Sequence, residues 1–532
     1  MAACRDVLLR MPLDAQGLRQ HGGHRDAPCS DRPVTWVDIV KGGLRASMAW
    51  LHNWVGIVTG WVLYAIALSG ALSVFRPEIS VWMRPELAGR TAQAVPATAA
   101  AIAWLQAHAP DSPAWYLSAA GPRAPYTWAL WLQNGHYVQR ALDPVTGAPD
   151  GIRDTLGGEF FYRFHFQLQL PYPWGRLLAA VAAMVLVLTL LTGIVVHRRI
   201  FSDFFTFRPN KGQRSWLDTH NLMGVAALPF HLMISFTGAV TLGTLLFPWG
   251  IGAAYHHAPG AFDTDMSPAT VARPVSGHPG TLAPVAAMLQ MADQKLGRAG
   301  LGQVYVFNPN DAASSIIITG ANDDRIGYAT HVLQIDGTNG RLLKEDREDR
   351  PVMATFAVLY GLHIARFAPG PTRWLYFVSG MLLACVIASG LRLWTIRRRK
   401  QGRTRGLVVM ERLNAGMIAG TPLAFSAYFL ANRILPASML ARADHEVQVV
   451  FIVWGATLAG AVLTPAVWSW RILGSATVVA LAGIVVLSAP WTTGVEQGTA
   501  MVATALALGV ATAISQTRHG GISKGRQIST SG

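Results

Sequence analysis

The sequence predicts a mainly helical, polytopic membrane bundle of about eight spans carrying two small α+β domains outside the bilayer. Three observations predict it. Eight runs of about 20 apolar residues with almost no charge have the length that crosses ~30 Å of hydrocarbon. Two long polar segments between the first four runs are patterned as a helix followed by short strands. The basic residues gather beside the ends of the runs.

Residues 1–45 hold Cys4, Cys29, His21 and His24 but no apolar signal-peptide core, and read as a disordered cytoplasmic leader. The first span, 46–75, is built on the run 51–75. It leads into an external segment, 76–173, where "VPATAAAIAWLQAHAP" has helical spacing and "AWYLSAA", "YTWALWLQ" and "HYVQRALDPVTGAPDG" read as strands ending in a turn. The second span, 174–197, closes at His197 in a basic loop, 198–219. The third, 220–249, opens at His220 and feeds a second external segment, 250–371. There "TLAPVAAMLQMADQKLG" is the helix, and "QVYVFNPN", "SSIIITG" and "YATHVLQIDGTNGRLL" are the strands. The fourth span, 372–396, ends in another basic loop, 397–412. Runs at 417–435, 447–468, 472–489 and 499–514 form a C-terminal four-span extension, 413–515, before a basic tail, 516–532.

The formal charge of +15 does not point to nucleic acid, because "HRRIFSDFFTFRPNKGQR", "RRRKQGRTR" and "RHGGISKGRQ" each adjoin a span end. With an even span count the positive-inside rule puts these clusters and both termini in the cytoplasm, and both large segments outside. Cys4, Cys29 and Cys385 fall in the leader or inside a span, which leaves no disulfide framework for the external parts. No CxxCH motif offers covalent haem attachment.

The chain is internally duplicated. "LHNWVGIVTGWVLYAIALSGALS" (51–73) lies over "THNLMGVAALPFHLMISFTGAVT" (219–241) without a gap, pairing His52 with His220, Gly56 with Gly224 and Gly70 with Gly238. "YRFHFQLQLPYPWGR" (162–176) matches "YGLHIARFAPGPTR" (360–373) across one deletion, pairing His165 with His363 and Arg176 with Arg373.

A lone histidine in a span is most simply an interhelical hydrogen bond. Six, sorted by depth, ask for more. His52, His197 and His220 stand at cytoplasmic span ends, whereas His165 and His363 precede their spans outside, each followed by a Pro-x-Pro break. His231 lies eleven residues beyond His220, about 16 Å along a straight helix and about 20° around it, so both imidazoles share a face. The first four spans contain essentially no interior carboxylate, which argues against proton paths and hard cations. Haem iron takes axial histidine in a dry bundle, and zinc, its rival, asks for four convergent ligands. Gly56 and Gly224, one turn beyond His52 and His220, either clear the ligand face or serve helix packing.

The runs "SMAWLHNWVGIVTGWVLYAIALSGALSVF", "GIVVHRRIFSDFFTFRP", "RSWLDTHNLMGVAALPFHLMISFTG" and "LHIARFAPGPTRWLY" resemble the PepSY-associated transmembrane helix family, iron-regulated inner-membrane proteins that include ferric-siderophore reductases. "LDPVTGAPDG" is similar to the closing hairpin of a PepSY domain, with "QIDGTNGRLL" a weaker copy. The resemblance covers about residues 50–400. It implies a bacterial inner-membrane location, periplasmic PepSY-like domains, haem b in the four-helix core, and electron transfer to a ferric siderophore or other iron chelate. The matching positions are His52, His165, His197, His220, His231 and His363, of which two bis-histidine haems use four. His220 and His231 rank first for their shared face, then His165 and His363, then His52 and His197.

No GxGxxG follows a strand and no flavin or nicotinamide domain is recognisable, so a quinol or a separate reductase has to donate the electron. The extension carries only His445, in an expected external loop; its Gly/Ala-rich faces, "GATLAGAVLTPA" among them, permit tight helix packing and suit scaffolding, a partner interface or a quinone pocket. Two other classes stay open: a siderophore or metal permease with broken helices at the midplane, and a haem-free sensor or protease regulator.

Overall fold

The computed structural model describes residues 43–488 except 198–206, 257, 259, 267, 322, 324, 328–330 and 348–349. The expected leader with Cys4, Cys29, His21 and His24, the start of the first basic loop, the eighth span at 499–514 and the basic tail lie outside the described residues. Among the described residues six helices are long and apolar enough to cross a membrane, and one bent pair makes a seventh crossing if counted as one span.

The first repeat unit comprises α1 (Gly43–Ser73), α2 (Ala94–His108), three strands, a short α3 (Glu159–Gln167) and α4 (Trp174–Val196). The second has the same order: the pair α5 (Gln213–Ala226) and α6 (Leu228–Thr241), then α7 (Val285–Leu296), four strands, a short α8 (Pro351–Ile364) and α9 (Gly370–Gln401). The extension adds α10 (Arg405–Ile434), α11 (Arg442–Leu463) and α12 (Ala466–Ser488). Local chemistry sets the ends. Helices α3 and α8 stop at left-handed residues, Leu168 and Ala365, and the prolines that follow start α4 and α9 afresh. Thr404 caps α10, its hydroxyl accepting from the Leu407 amide at 3.2 Å.

The third span is not the straight helix its hydropathy predicts. Helices α5 and α6 are bent by 69° at Ala227. Pro229 has no N–H to offer the Val225 carbonyl, and its ring crowds the preceding turn. The shared face of His220 and His231 was reasoned across this break, so that expectation fails.

The four family-like spans form a square in which α1 packs on α4 and α9, and the bent pair packs on α9 through α5 and on α4 through α6. A Cβ on Gly60 would lie 2.6 Å from the Leu391 side chain, and one on Gly380 3.0 Å from Ala71, so glycine sets the closeness of α1 and α9.

Outside the bundle, β1 (Ala114–Ser118), β2 (Thr127–Gln133), β3 (His136–Leu142), β4 (Leu301–Phe307), β5 (Ser315–Gly320), β6 (His331–Asp336) and β7 (Leu342–Arg347) fall where the sequence predicts strands. The two expected domains are nevertheless one body. All seven strands join in a single antiparallel sheet ordered β3-β2-β1-β4-β5-β6-β7, closed across the duplication by β1 pairing with β4. Each would otherwise be an apolar edge strand with unpaired amides, and each satisfies the other. One face carries α2 and α7 over a shared core of Trp115, Leu117, Trp131, Val304, Ile316 and Leu333.

In the extension, α10 lies against α1 and α9, and its Phe425, Tyr428 and Phe429 pack with Phe160, Phe161 and Phe164 of α3. The close approach to α11 comes from Gly416 and Gly420, facing Ala461 and Thr457; at Gly455 and Gly460, where the sequence suggested it, a Cβ meets nothing. His445 lies in the first turn of α11, not in a loop.

Candidate functional site

Four of the six histidines sit in repeat-equivalent positions and make repeat-equivalent bonds. His52 Nδ1 lies 3.0 Å from the Thr189 carbonyl and 3.2 Å from the Thr192 hydroxyl, both on α4. His220 Nδ1 lies 2.9 Å from the Val386 carbonyl and 3.1 Å from the Ser389 hydroxyl, the matching positions of α9. On the sheet side, His165 Nδ1 bonds the Ile66 carbonyl at 2.8 Å, and His363 Nδ1 bonds the equivalent Ile234 carbonyl at 3.1 Å, with the Thr237 hydroxyl also at 3.1 Å. A carbonyl can only accept, so Nδ1 of each ring carries the proton and Nε2 keeps the lone pair. That tautomer presents Nε2 to a metal while a backbone acceptor fixes the ring and raises its basicity.

His165 and His363 face each other with ring centroids 5.9 Å apart and planes inclined by 24°. Two imidazoles gripping one metal from opposite sides through bonds of about 2 Å put their centroids about 6 Å apart. At the other end of the bundle His52, His197 and His220 lie close enough to feel one another's charge. Ile66 is fourteen residues beyond His52 on the straight α1, so the two tiers are separated by about 21 Å along the bundle.

The remaining two histidines have no repeat mates: Leu63 stands opposite His231 and Trp394 opposite His197. His231 is fully buried and uses Nε2, the nitrogen the other four leave unused, to donate to the Ser379 carbonyl at 3.1 Å. Among the described residues its Nδ1 has no hydrogen-bond partner. Its geometry is that of an interhelical bond, which lowers the rank its sequence position earned.

Glycines mark where the rings lie. A Cβ on Gly70 would sit 2.6 Å from His165 Nδ1, and one on Gly238 2.8 Å from His363 Cε1. A Cβ on Gly193 or on Gly390 would likewise lie 3.2 Å from the His52 ring or 3.3 Å from the His220 ring. Gly56 and Gly224 behave otherwise: a Cβ at the first meets nothing within 4 Å, and at the second only Val386 at 4.0 Å. Close helix packing does not explain them. They border open space one turn from His52 and His220, a cradle that side chains would fill.

The donor set therefore suits haem: neutral imidazoles, two of them facing each other at 5.9 Å, with Nε2 unengaged among the described residues and space beside them. Among the described residues no three or more of His, Cys, Asp and Glu converge as they do around zinc. Of the duplicated arginines, Arg373 is paired with Glu78, which also binds Arg123 at 2.8 and 2.9 Å. Arg176 lies over Phe166 and Tyr172 and donates to Gln167 at 3.1 Å. Sequence reasoning missed the carbonyl acceptors at Ile66, Thr189, Ile234 and Val386, because a backbone group has no side-chain signature; only the duplication hints at them.

Residues 49–397 match the profile of the family described as the PepSY-associated TM region. The chain is also similar to the uncharacterized protein PA4219 of Pseudomonas aeruginosa, 27% identical over 357 residues that cover 63% of this chain and 87% of that one.

Proposed function

The chain belongs to the family of the PepSY-associated TM region, and from that premise we propose that it is a haem b protein of the bacterial inner membrane that passes electrons outward to reduce a periplasmic ferric siderophore. The observation that carries this reading is the set of four repeat-matched imidazoles, each with Nδ1–H tied to a backbone carbonyl and Nε2 left over. His165 and His363 would hold one haem and His52 and His220 the other. Bound haem supplies reversible one-electron chemistry. The chain's own part is to fix the rings, exclude water between α1, α4, α6 and α9, and stack the tiers about 21 Å apart, much of the ~30 Å hydrocarbon thickness. A quinol or separate reductase donates at the tier of His52, His197 and His220. With an eighth span at 499–514 both termini are cytoplasmic, and the two PepSY-like units that share the sheet face the periplasm.

The test is haem stoichiometry of the purified protein by pyridine haemochrome. Two haems per chain are expected, one after His165→Leu or His363→Leu, the other one after His52→Leu or His220→Leu, and both after His231→Leu. A colourless protein that stays colourless when expressed with excess haem refutes the reading. The break at Pro229 beside the unpartnered His231 favours a second reading, a permease with a discontinuous span. Intact radiolabelled chelate crossing proteoliposomes would select it.

A further inference from the structure

The sheet has a second face, and it is turned to the bundle. Register places Gln139, Leu130, Tyr116, Tyr305 and Ile317 in one row across five strands, on the face opposite α2 and α7. The flanks of that face are covered. On one side Val81, Leu87, Tyr126 and Ala141 form a small core, with Arg84 over Tyr126 and Trp128; on the other Ala269 closes over Ile317 and Val332. Between them, along the β1–β4 seam, Tyr116, Tyr305 and Phe307 remain half-buried and form one aromatic cluster, with centroids 5.6, 5.9 and 6.5 Å apart. Ser118 and Gln303, bonded at 2.9 Å, form its polar rim.

Two bonds tie this face of the sheet to the elements that carry the tier of His165 and His363. Arg123, in the β1–β2 loop, donates to the Val74 carbonyl just beyond α1 at 3.2 Å, and Arg163 of α3 donates to Gln139 in the aligned row at 2.7 Å. Arg163 is two residues from His165, is half-buried, and among the described residues has no carboxylate partner. An aromatic platform with a cation two strands away on the same face, about 10 Å along the row and unneutralised among the described residues, suits a ligand that is both aryl-faced and anionic and large enough to span that distance.

Resting on the reductase reading, we infer that the seam of β1 and β4 is the docking site of the substrate and that it takes ferric chelates with aryl-oxygen donors, the catecholate class, in preference to neutral hydroxamate chelates. The rings of such a chelate stack on Tyr116, Tyr305 and Phe307, and its negative charge is met by Arg163. No side chain of the chain need bind the iron itself.

The test uses full-length protein in detergent micelles and redox-inert probes, so that it is independent of haem content: the Ga(III) complex of a hexadentate tris-catecholate, trianionic, and the Ga(III) complex of a linear trihydroxamate, neutral. Intrinsic fluorescence quenching reads binding. The tris-catecholate is expected to bind the tighter of the two. Tyr305→Leu and Phe307→Leu each weaken it about three- to tenfold, the effect of one aromatic contact. Arg163→Gln weakens the trianionic complex several-fold at low salt, less at high salt, and leaves the neutral one unchanged. Equal affinity for both complexes in the wild type, or unchanged tris-catecholate affinity in both Tyr305→Leu and Arg163→Gln, overturns the inference. Haem counting on the same samples tells its failure apart from failure of the reductase reading.

Discussion

Replacing Gly70 by alanine tests the sheet-side tier without touching a histidine. The added Cβ would stand 2.6 Å from His165 Nδ1 and 2.7 Å from Cε1. Ordinary contact needs about 3.5 Å, so the ring has to withdraw by roughly 0.9 Å. That would stretch its 2.8 Å bond to the Ile66 carbonyl past the hydrogen-bond limit, a loss of about 1 kcal/mol. It would also take the ring out of reach of a metal shared with His363, since metal–nitrogen distances tolerate only about 0.2 Å. Meanwhile alanine favours the helix over glycine by about 1 kcal/mol, so α1 itself is not weakened. The expected result is one haem per chain in place of two by pyridine haemochrome, with full expression. Gly56→Ala, which meets nothing within 4 Å, should keep both. A Gly70→Ala protein with two haems and an unchanged Soret spectrum would refute the placement of His165 as a ligand.

Two further outcomes follow from the same structure. Arg442 and Glu446 are fully buried and paired, the carboxylate also taking bonds from Asn432 at 2.8 Å and from the Thr155 hydroxyl. Arg442→Met strands that carboxylate and should cost about 3–5 kcal/mol in thermal unfolding, most of it recovered in Arg442→Met with Glu446→Met; equal loss in single and double variants would contradict this. Asp311 accepts from Ser276 N and Oγ, Gly277 N and Ala313 N, and these donors hold its carboxyl at about 2, below the ordinary 3.8. A depressed folded value means stability present above pH 3.8 and lost as pH falls through 2, so Asp311→Asn should lower the unfolding temperature at pH 7 and match the wild type below pH 2 by calorimetry. An unchanging gap between the two proteins across that range would exclude Asp311 as its cause.

What the sequence made legible was mostly local or duplicated. Strand positions followed from β-branched and aromatic runs, and the Pro-x-Pro breaks after His165 and His363 started α4 and α9 as expected. The gapless match of 51–73 to 219–241 and the match of 162–176 to 360–373 together located four histidines that the structure brings into matching contacts. Non-local geometry was not legible. Pairing of β1 with β4 joins residues nearly two hundred positions apart, and neither strand announces which edge it will cover. The face that His231 was expected to share with His220 was misjudged because helical phase was carried across Pro229, although a proline inside an apolar run signals a break. Gly70 and Gly238 gave only their identity; that they bear on the His165 and His363 rings depends on how α3 and α8 fold back.

The duplication also explains why the matched histidines come one per unit in each tier. When one helix–sheet–helix unit is repeated and the copies pack face to face, a residue used once per unit meets its own copy across the interface, as in an isologous dimer. His165 meets His363 in this way, and the bonds of His52 are mirrored by those of His220. A metal that needs four convergent donors would require two histidines per unit at the same depth. The proposed haem would require only one, and one histidine per unit in each tier is repeat-matched. His197 and His231, lacking mates, fall outside that logic, as does the extension, which presses Phe425 and Tyr428 on α3 of the first unit and leaves α8 of the second to lean on α6. The pairing therefore comes from the repeat, and the departures from it come from the parts that were never duplicated.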